Sequence, residues 1–175
     1  MSERLTENLV RDKLRELNYY DEENGITIEE QKSEVANVKK LLSKASKNNK
    51  GNKGYPEFII RSSKDNDYII VFECKVEISK HESHNRDKPV DYAVDGVLHY
   101  AKHLAKEYTV LAVAVSGTTQ SSMTISNFYI PCSSTEYKDL SSTKKAISRR
   151  KEKPSYSFKA KNLKRRLKNV NKNIL

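Results

Sequence analysis

Tryptophan is absent from the 175-residue chain, and cysteine occurs only twice, at Cys74 and Cys132. Two cysteines this far apart, with no C-x-x-C pair, suggest neither a disulfide scaffold nor a structural zinc site. No apolar run approaches the roughly twenty residues that a membrane-spanning helix needs, so no membrane partner is expected. The first residues lack the apolar stretch of a signal peptide, and the default expectation is a cytoplasmic protein. Hydrophobic residues make up 36% of the chain and charged residues 32%. A chain of this length and polarity is expected to form one domain with a real core.

Acidic residues are scarce in two places. From Lys144 to Leu175 there are thirteen Lys and Arg and one acid, Glu152, against totals of 33 basic and 23 acidic residues. Residues 1–143 therefore hold 20 basic and 22 acidic residues, and the tail carries all of the formal +10 charge. Such asymmetry suggests a polyanionic partner, although a solvated spacer helix would read the same way. The second acid-free stretch holds Lys39, Lys40, Lys44, Lys47, Lys50 and Lys53, with Gly51 and Gly54. Lys44, Lys47, Lys50 and Lys53 are candidates for contacts to DNA phosphates, which give affinity and salt dependence without reading bases.

Hydrophobic spacing outlines the fold. Leu5, Leu9, Val10, Leu14 and Leu17 form one stripe of a helix over residues 3–18. Ile26 to Ile28 read as a short strand, followed by a helix through Val35, Val38, Leu41 and Leu42. Residues 57–62 and 68–76 read as a hairpin around the polar "KDND". A helix is expected over 90–106, then a central strand, "TVLAVAVS", a further strand in "SMTISNFYIP", and a basic helix from Ser155. The order predicts an α/β fold, with a small mixed central sheet flanked by helices.

The chemistry is expected on the hairpin. Glu57 heads its first strand, while Glu73 and Lys75 share one face of the second. The run "IIVFECK" is core-like, and charges within it require a reason. Two neighbouring carboxylates repel unless a cation lies between them. A hard divalent ion such as Mg²⁺, with Mn²⁺ as a substitute, suits such oxygen ligands together with water and phosphate oxygens. A lysine beside the ion would orient or deprotonate water, or stabilise charge on the reacting phosphate. These parts describe a metal-assisted phosphodiester hydrolase. The bland alternative is a cross-strand ion pair. His99 and His103 share a helix face at a zinc-compatible spacing, but without a third ligand an ordinary helix face is the better reading.

The segments "PEF" and "FECK" resemble the motif of the PD-(D/E)XK nuclease superfamily, with Glu57 where that family more often has Asp. With "LLSKASKNNKGNKGYPEFII" and "YAVDGVLHYAKHL", roughly residues 1 to 130 resemble the N-terminal endonuclease domain of large restriction–modification polypeptides, in which an adenine methyltransferase follows. The resemblance implies a restriction-endonuclease-like fold and a Mg²⁺-dependent endodeoxyribonuclease acting on DNA. It implies Glu57, Glu73 and Lys75 as catalytic residues, and Glu7 on the first helix as a third metal ligand beside Glu57 and Glu73. The family's Q-x-x-x-Y element is matched at Tyr100, a supporting residue, but Gly96 stands at the Gln position. The organisation implied is a nuclease domain over 1–143 and a basic helical linker over 144–175. The linker would lead to methyltransferase and target-recognition domains of a longer chain. The departures at Glu57 and Gly96 leave a second expectation open, a nuclease-fold DNA-binding module that has lost its chemistry. A third is a small interaction protein whose basic tail docks on RNA or an acidic partner.

Overall fold

A computed structural model describes residues 3–47 and 54–141, excepting the Glu22 side chain. The chain divides into two units, Met1–Ser142 and Thr143–Leu175. The second lies outside the described residues, as do the expected basic helix from Ser155, the linker over 144–175, and Lys50 and Lys53.

The described residues form an α/β fold. Its elements are α1 (Arg4–Glu16), β1 (Ile26–Glu30), α2 (Ala36–Leu42), β2 (Phe58–Ser62), β3 (Asp65–Lys75), α3 (Ala93–Leu104), β4 (Thr109–Ser116), β5 (Thr124–Ile130) and the short β6 (Lys138–Asp139). The strands make one six-stranded mixed sheet in chain order, β1 to β6. All neighbouring pairs are antiparallel except β3 and β4, which run parallel. A parallel pair cannot be closed by a hairpin, and α3 supplies the crossover. Its apolar residues Val94, Val97, Leu98, Ala101 and Leu104 are buried and fall at helical spacing. They meet Ile69 and Val71 of β3 and Val110, Ala112 and Ala114 of β4. Each fully buried aliphatic side chain of this kind contributes about 1.5–3 kcal/mol.

The elements follow the sequence pattern with shifted ends. "TVLAVAVS" is the central strand β4, buried from Val110 to Ser116 because strands flank it and β-branched or small residues fill both faces. The hairpin turn is Ser63–Lys64, so β3 starts at Asp65 and takes in most of the "KDND" stretch. A bulge between Arg61 and Ser62 lets Ser62 pair with Asp65, which ladders polar residues that local propensity assigns to a turn. Tyr92 precedes α3 in extended conformation, which shortens that helix to twelve residues. The loop ahead of it is pinned by Asp95, which accepts from the backbone of Ser83 at 3.2 Å and of Lys88 at 2.8 Å. Among the described residues no helix is long and apolar enough to cross a membrane.

α1 lies over the sheet face that carries Phe58, with the Arg11 guanidinium 5.5 Å from that ring. Thr6, in its first turn, is buried and donates to the carbonyls of Gly117 at 2.8 Å and Lys75 at 3.2 Å. The start of α1 is thereby tied to the C-terminal ends of the parallel pair β3 and β4. In open α/β sheets, ligands bind in the crevice outside those strand ends.

Candidate active site

The register of the hairpin places the two carboxylates. Phe58 pairs with Phe72, and the Glu57 amide donates to the Phe72 carbonyl at 3.1 Å. Glu57, just ahead of β2, comes next to Glu73, and the two carboxyls interact. Glu73 is fully buried, and it lies beside Ala114 of β4. It continues the row Ile69–Val71 on the face covered by α3.

Space for the Glu73 side chain comes from Gly96 of α3. A Cβ at this glycine would stand 3.0 Å from Glu73 Cδ, 3.1 Å from Glu73 Cγ and 2.9 Å from the Pro89 carbonyl oxygen. The residue that breaks the Q-x-x-x-Y pattern is therefore the one that admits the buried acid to this face.

Two lysines reach Glu73 Oε1. The Lys47 ammonium makes a short salt bridge to it, and the Lys75 ammonium stands 3.5 Å away. Their side chains are only 15% and 13% exposed, so both ion pairs are shielded from water. Lys75 also donates to Glu3 Oε1 at 2.7 Å. Lys47 lies 4.6 Å over the centroid of the Tyr100 ring, a cation–π contact. The Tyr100 hydroxyl accepts from the Tyr55 amide at 3.2 Å. Gly54 allows this approach, since a Cβ there would come within 2.8 Å of Tyr100 Cε1.

The electrostatics follow from burial and proximity. Burial first, and the Glu73 carboxylate second, hold the Glu57 carboxyl well above the usual carboxylate range. Burial alone would lower Lys75, but Glu73 and the hydrogen bond to Glu3 outweigh it, and its pKa rises. Lys75 is thus a firmly held cation, suited to stabilising negative charge and poorly suited to accepting a proton. Burial, then Glu73, push the Tyr100 phenol upward, so that it stays protonated. Glu57 Oε2 and Glu73 Oε2 are buried without a hydrogen-bond partner. Two unpartnered acid oxygens at one buried site form an all-oxygen donor set, the chemistry a hard divalent cation takes, and its binding would displace the proton that Glu57 holds.

The structure brings Glu57, Glu73, Lys75, Lys47 and Tyr100 together. Glu7 is half-buried on α1 and is not in this close group. Burial raises its pKa against the opposing pull of Arg11, and its other charged neighbours are Glu3, Glu30 and Arg4. Burial pushes the Cys74 thiol, on the opposite face of β3 from Glu73, well up, with Glu57, Glu73, Glu7 and Glu3 as lesser causes. Among the described residues no group of three or more His, Cys, Asp or Glu gathers as a metal site. His103 Nδ1 donates to the His99 carbonyl at 2.9 Å, an ordinary helix contact for that pair. Lys44 is exposed. Sequence reasoning missed Glu3, whose partner is 72 residues away, and it placed Lys47 among phosphate-seeking lysines rather than beside Glu73. A lone lysine after a helix carries no signal of such a contact.

No protein-family model matches the chain, and no solved structure matches it. Among curated proteins, the chain is similar to the type II restriction enzyme and methyltransferase RM.BcgI of Heyndrickxia coagulans. The two are 35% identical over 109 residues, which covers 55% of this chain and 17% of that protein. The chain thus resembles a region of a restriction–modification enzyme and spans 17% of that relative's length.

Proposed function

We propose that this chain is the metal-dependent endodeoxyribonuclease part of a restriction–modification enzyme, with a PD-(D/E)XK site at Glu57, Glu73 and Lys75. One observation carries the reading: the fully buried Glu73 and the half-buried Glu57 come together at the head of a hairpin, each with one buried oxygen lacking a hydrogen-bond partner, beside the half-buried Lys75, at the C-terminal end of a parallel strand pair. Structural ion pairs rarely leave buried carboxylate oxygens unmatched. The similarity to a region of a longer restriction enzyme and methyltransferase supports DNA as substrate and a methyltransferase domain as a covalent partner, and the same reading assigns target recognition to a further domain of that longer chain.

Glu57 and Glu73 would hold Mg²⁺ or Mn²⁺, with Glu7 as an outlying third acid. Bound there, the ion would supply Lewis acidity and a more acidic water. The chain's own groups do the rest. Lys75, kept cationic by Glu73 and Glu3, is placed to stabilise charge developing on the phosphate oxygens. Thr6 and Glu3 anchor the start of α1 against Lys75 and so position it. In the net reaction a water oxygen bonds to phosphorus and the bond to the leaving DNA oxygen breaks. The water loses a proton to solvent, and the leaving oxygen gains one.

The Lys75→Ala variant is expected to retain Mn²⁺ and DNA binding and to lose cleavage by about 10²-fold or more. The assay is plasmid cleavage with Mg²⁺ or Mn²⁺, in the longer chain if the isolated protein does not cut. Cleavage by Lys75→Ala at the wild-type rate refutes the mechanism. One observation favours the second reading, a DNA-binding module without chemistry: Lys47 already neutralises Glu73. Metal-independent DNA binding, with no cleavage under any condition, would select it.

A further inference from the structure

Of the described lysines expected to seek phosphate, Lys44 is exposed, whereas Lys47 turns inward to Glu73. It follows α2, 26 residues before Glu73 in the chain, yet its ammonium is bonded to the one fully buried acid of the sheet. The Tyr100 ring lies under it and Lys75 beside it. Glu73 Oε1 is therefore already engaged, while Oε2 and Glu57 Oε2 have no partner. A buried carboxylate such as Glu73 needs a cation nearby, and the chain supplies one from its own sequence.

A divalent ion on these carboxylates cannot share the site with that ammonium at no cost. Ligated through Glu73 Oε1, it would take the atom Lys47 holds. Ligated through Oε2, it would lie within a few ångströms of the Lys47 charge, in a setting that screens the repulsion weakly. Lys47 and the ion are alternatives for one position.

We infer that Lys47 is a displaceable internal counter-ion. Its ammonium closes the metal position at Glu73 while no divalent cation is bound, and it leaves Glu73 when one enters. The inference rests on the proposed metal site and goes beyond it, by assigning the metal-free state a resident cation that sets the threshold for metal entry. The released ammonium is then available to a phosphate oxygen, the role its basic segment suggests. Lys75 does not share this behaviour, because Glu3 holds it independently at 2.7 Å.

Calorimetric titration with Mn²⁺ tests the competition. Lys47→Met removes the charge and keeps most of the side-chain volume. It is expected to bind Mn²⁺ roughly tenfold or more tightly than the wild type, since a charged hydrogen bond no longer has to be broken. Its metal-free melting temperature should fall and recover on adding Mn²⁺. A second measurement uses the wild-type protein alone. Acetylation of Lys47 by an acylating reagent, read by peptide mapping, should be slow without metal and several-fold faster at saturating Mn²⁺. Equal or weaker Mn²⁺ binding by Lys47→Met, or labelling that ignores Mn²⁺, overturns the inference and leaves the metal site standing. Absence of Mn²⁺ binding in both proteins overturns the metal site and this inference together.

Discussion

Gly96→Ala adds one methyl group where α3 meets the buried acid. On an exposed helix the change would stabilise the protein by about 1 kcal/mol, because glycine is the poorer helix former. Here the new Cβ meets Glu73 Cδ at 3.0 Å, Glu73 Cγ at 3.1 Å and the Pro89 carbonyl oxygen at 2.9 Å. The carbonyl belongs to a loop that Asp95 pins at Lys88, so it has little room to retreat. Overpacking of this kind costs about 1–3 kcal/mol. Forcing the Glu73 side chain off its rotamer costs a further ~1 kcal/mol. The opposing helix gain is smaller than the sum, and the expected net loss is about 1–3 kcal/mol. For a protein of this size that corresponds to a melting temperature lower by roughly 2–12 °C. The displaced carboxylate should also weaken Mn²⁺ binding. Gly96→Gln, which restores the resembled motif, should do worse, since its longer side chain enters the same space. Thermal melts and calorimetry decide it. A Gly96→Ala protein as stable as the wild type, with unchanged Mn²⁺ affinity, would show that Glu73 does not lie against α3.

Glu57 makes metal-free stability depend on pH. Its folded pKa is raised above the ordinary 4.5, so the folded state binds the proton more tightly than the unfolded chain does. That contribution is fully present below 4.5 and is lost as pH rises through the folded value. Urea melts with chelator present, compared at about pH 5 and about pH 8, should show Glu57→Gln less dependent on pH and the more stable protein at the higher pH. Identical pH profiles for the two proteins would refute the assignment. The basic segments carry a separate expectation: neutralising Lys44, Lys50 and Lys53, or the lysines of 144–175, should weaken binding to unrelated DNA sequences alike. Each lysine–phosphate pair removed should flatten the plot of log affinity against log salt by about one unit. Weakening that depends on DNA sequence would contradict phosphate recognition.

The elements and the central acids were legible from residue pattern. Runs of apolar and β-branched residues became β2, β3 and β4, and stripes at helical spacing became α1 and α3, because how much of a segment must be buried is a local property of its pattern. Glu73 and Lys75 stood out for the same reason, as charges in a strand too apolar to be solvated. What surrounds them came from long-range packing. The hairpin register brought Glu57 to Glu73, and a slip of one residue would have sent it to the face beneath α1. The parallel pairing of β3 with β4 brought Ala114 beside Glu73 and α3 across it, which turned Gly96 from a missing glutamine into the space the acid requires. Glu3 and Lys47 reached the site over 72 and 26 residues of chain. Pairings of that separation leave no periodic trace in sequence, since they are made by packed elements and not by neighbours along the backbone.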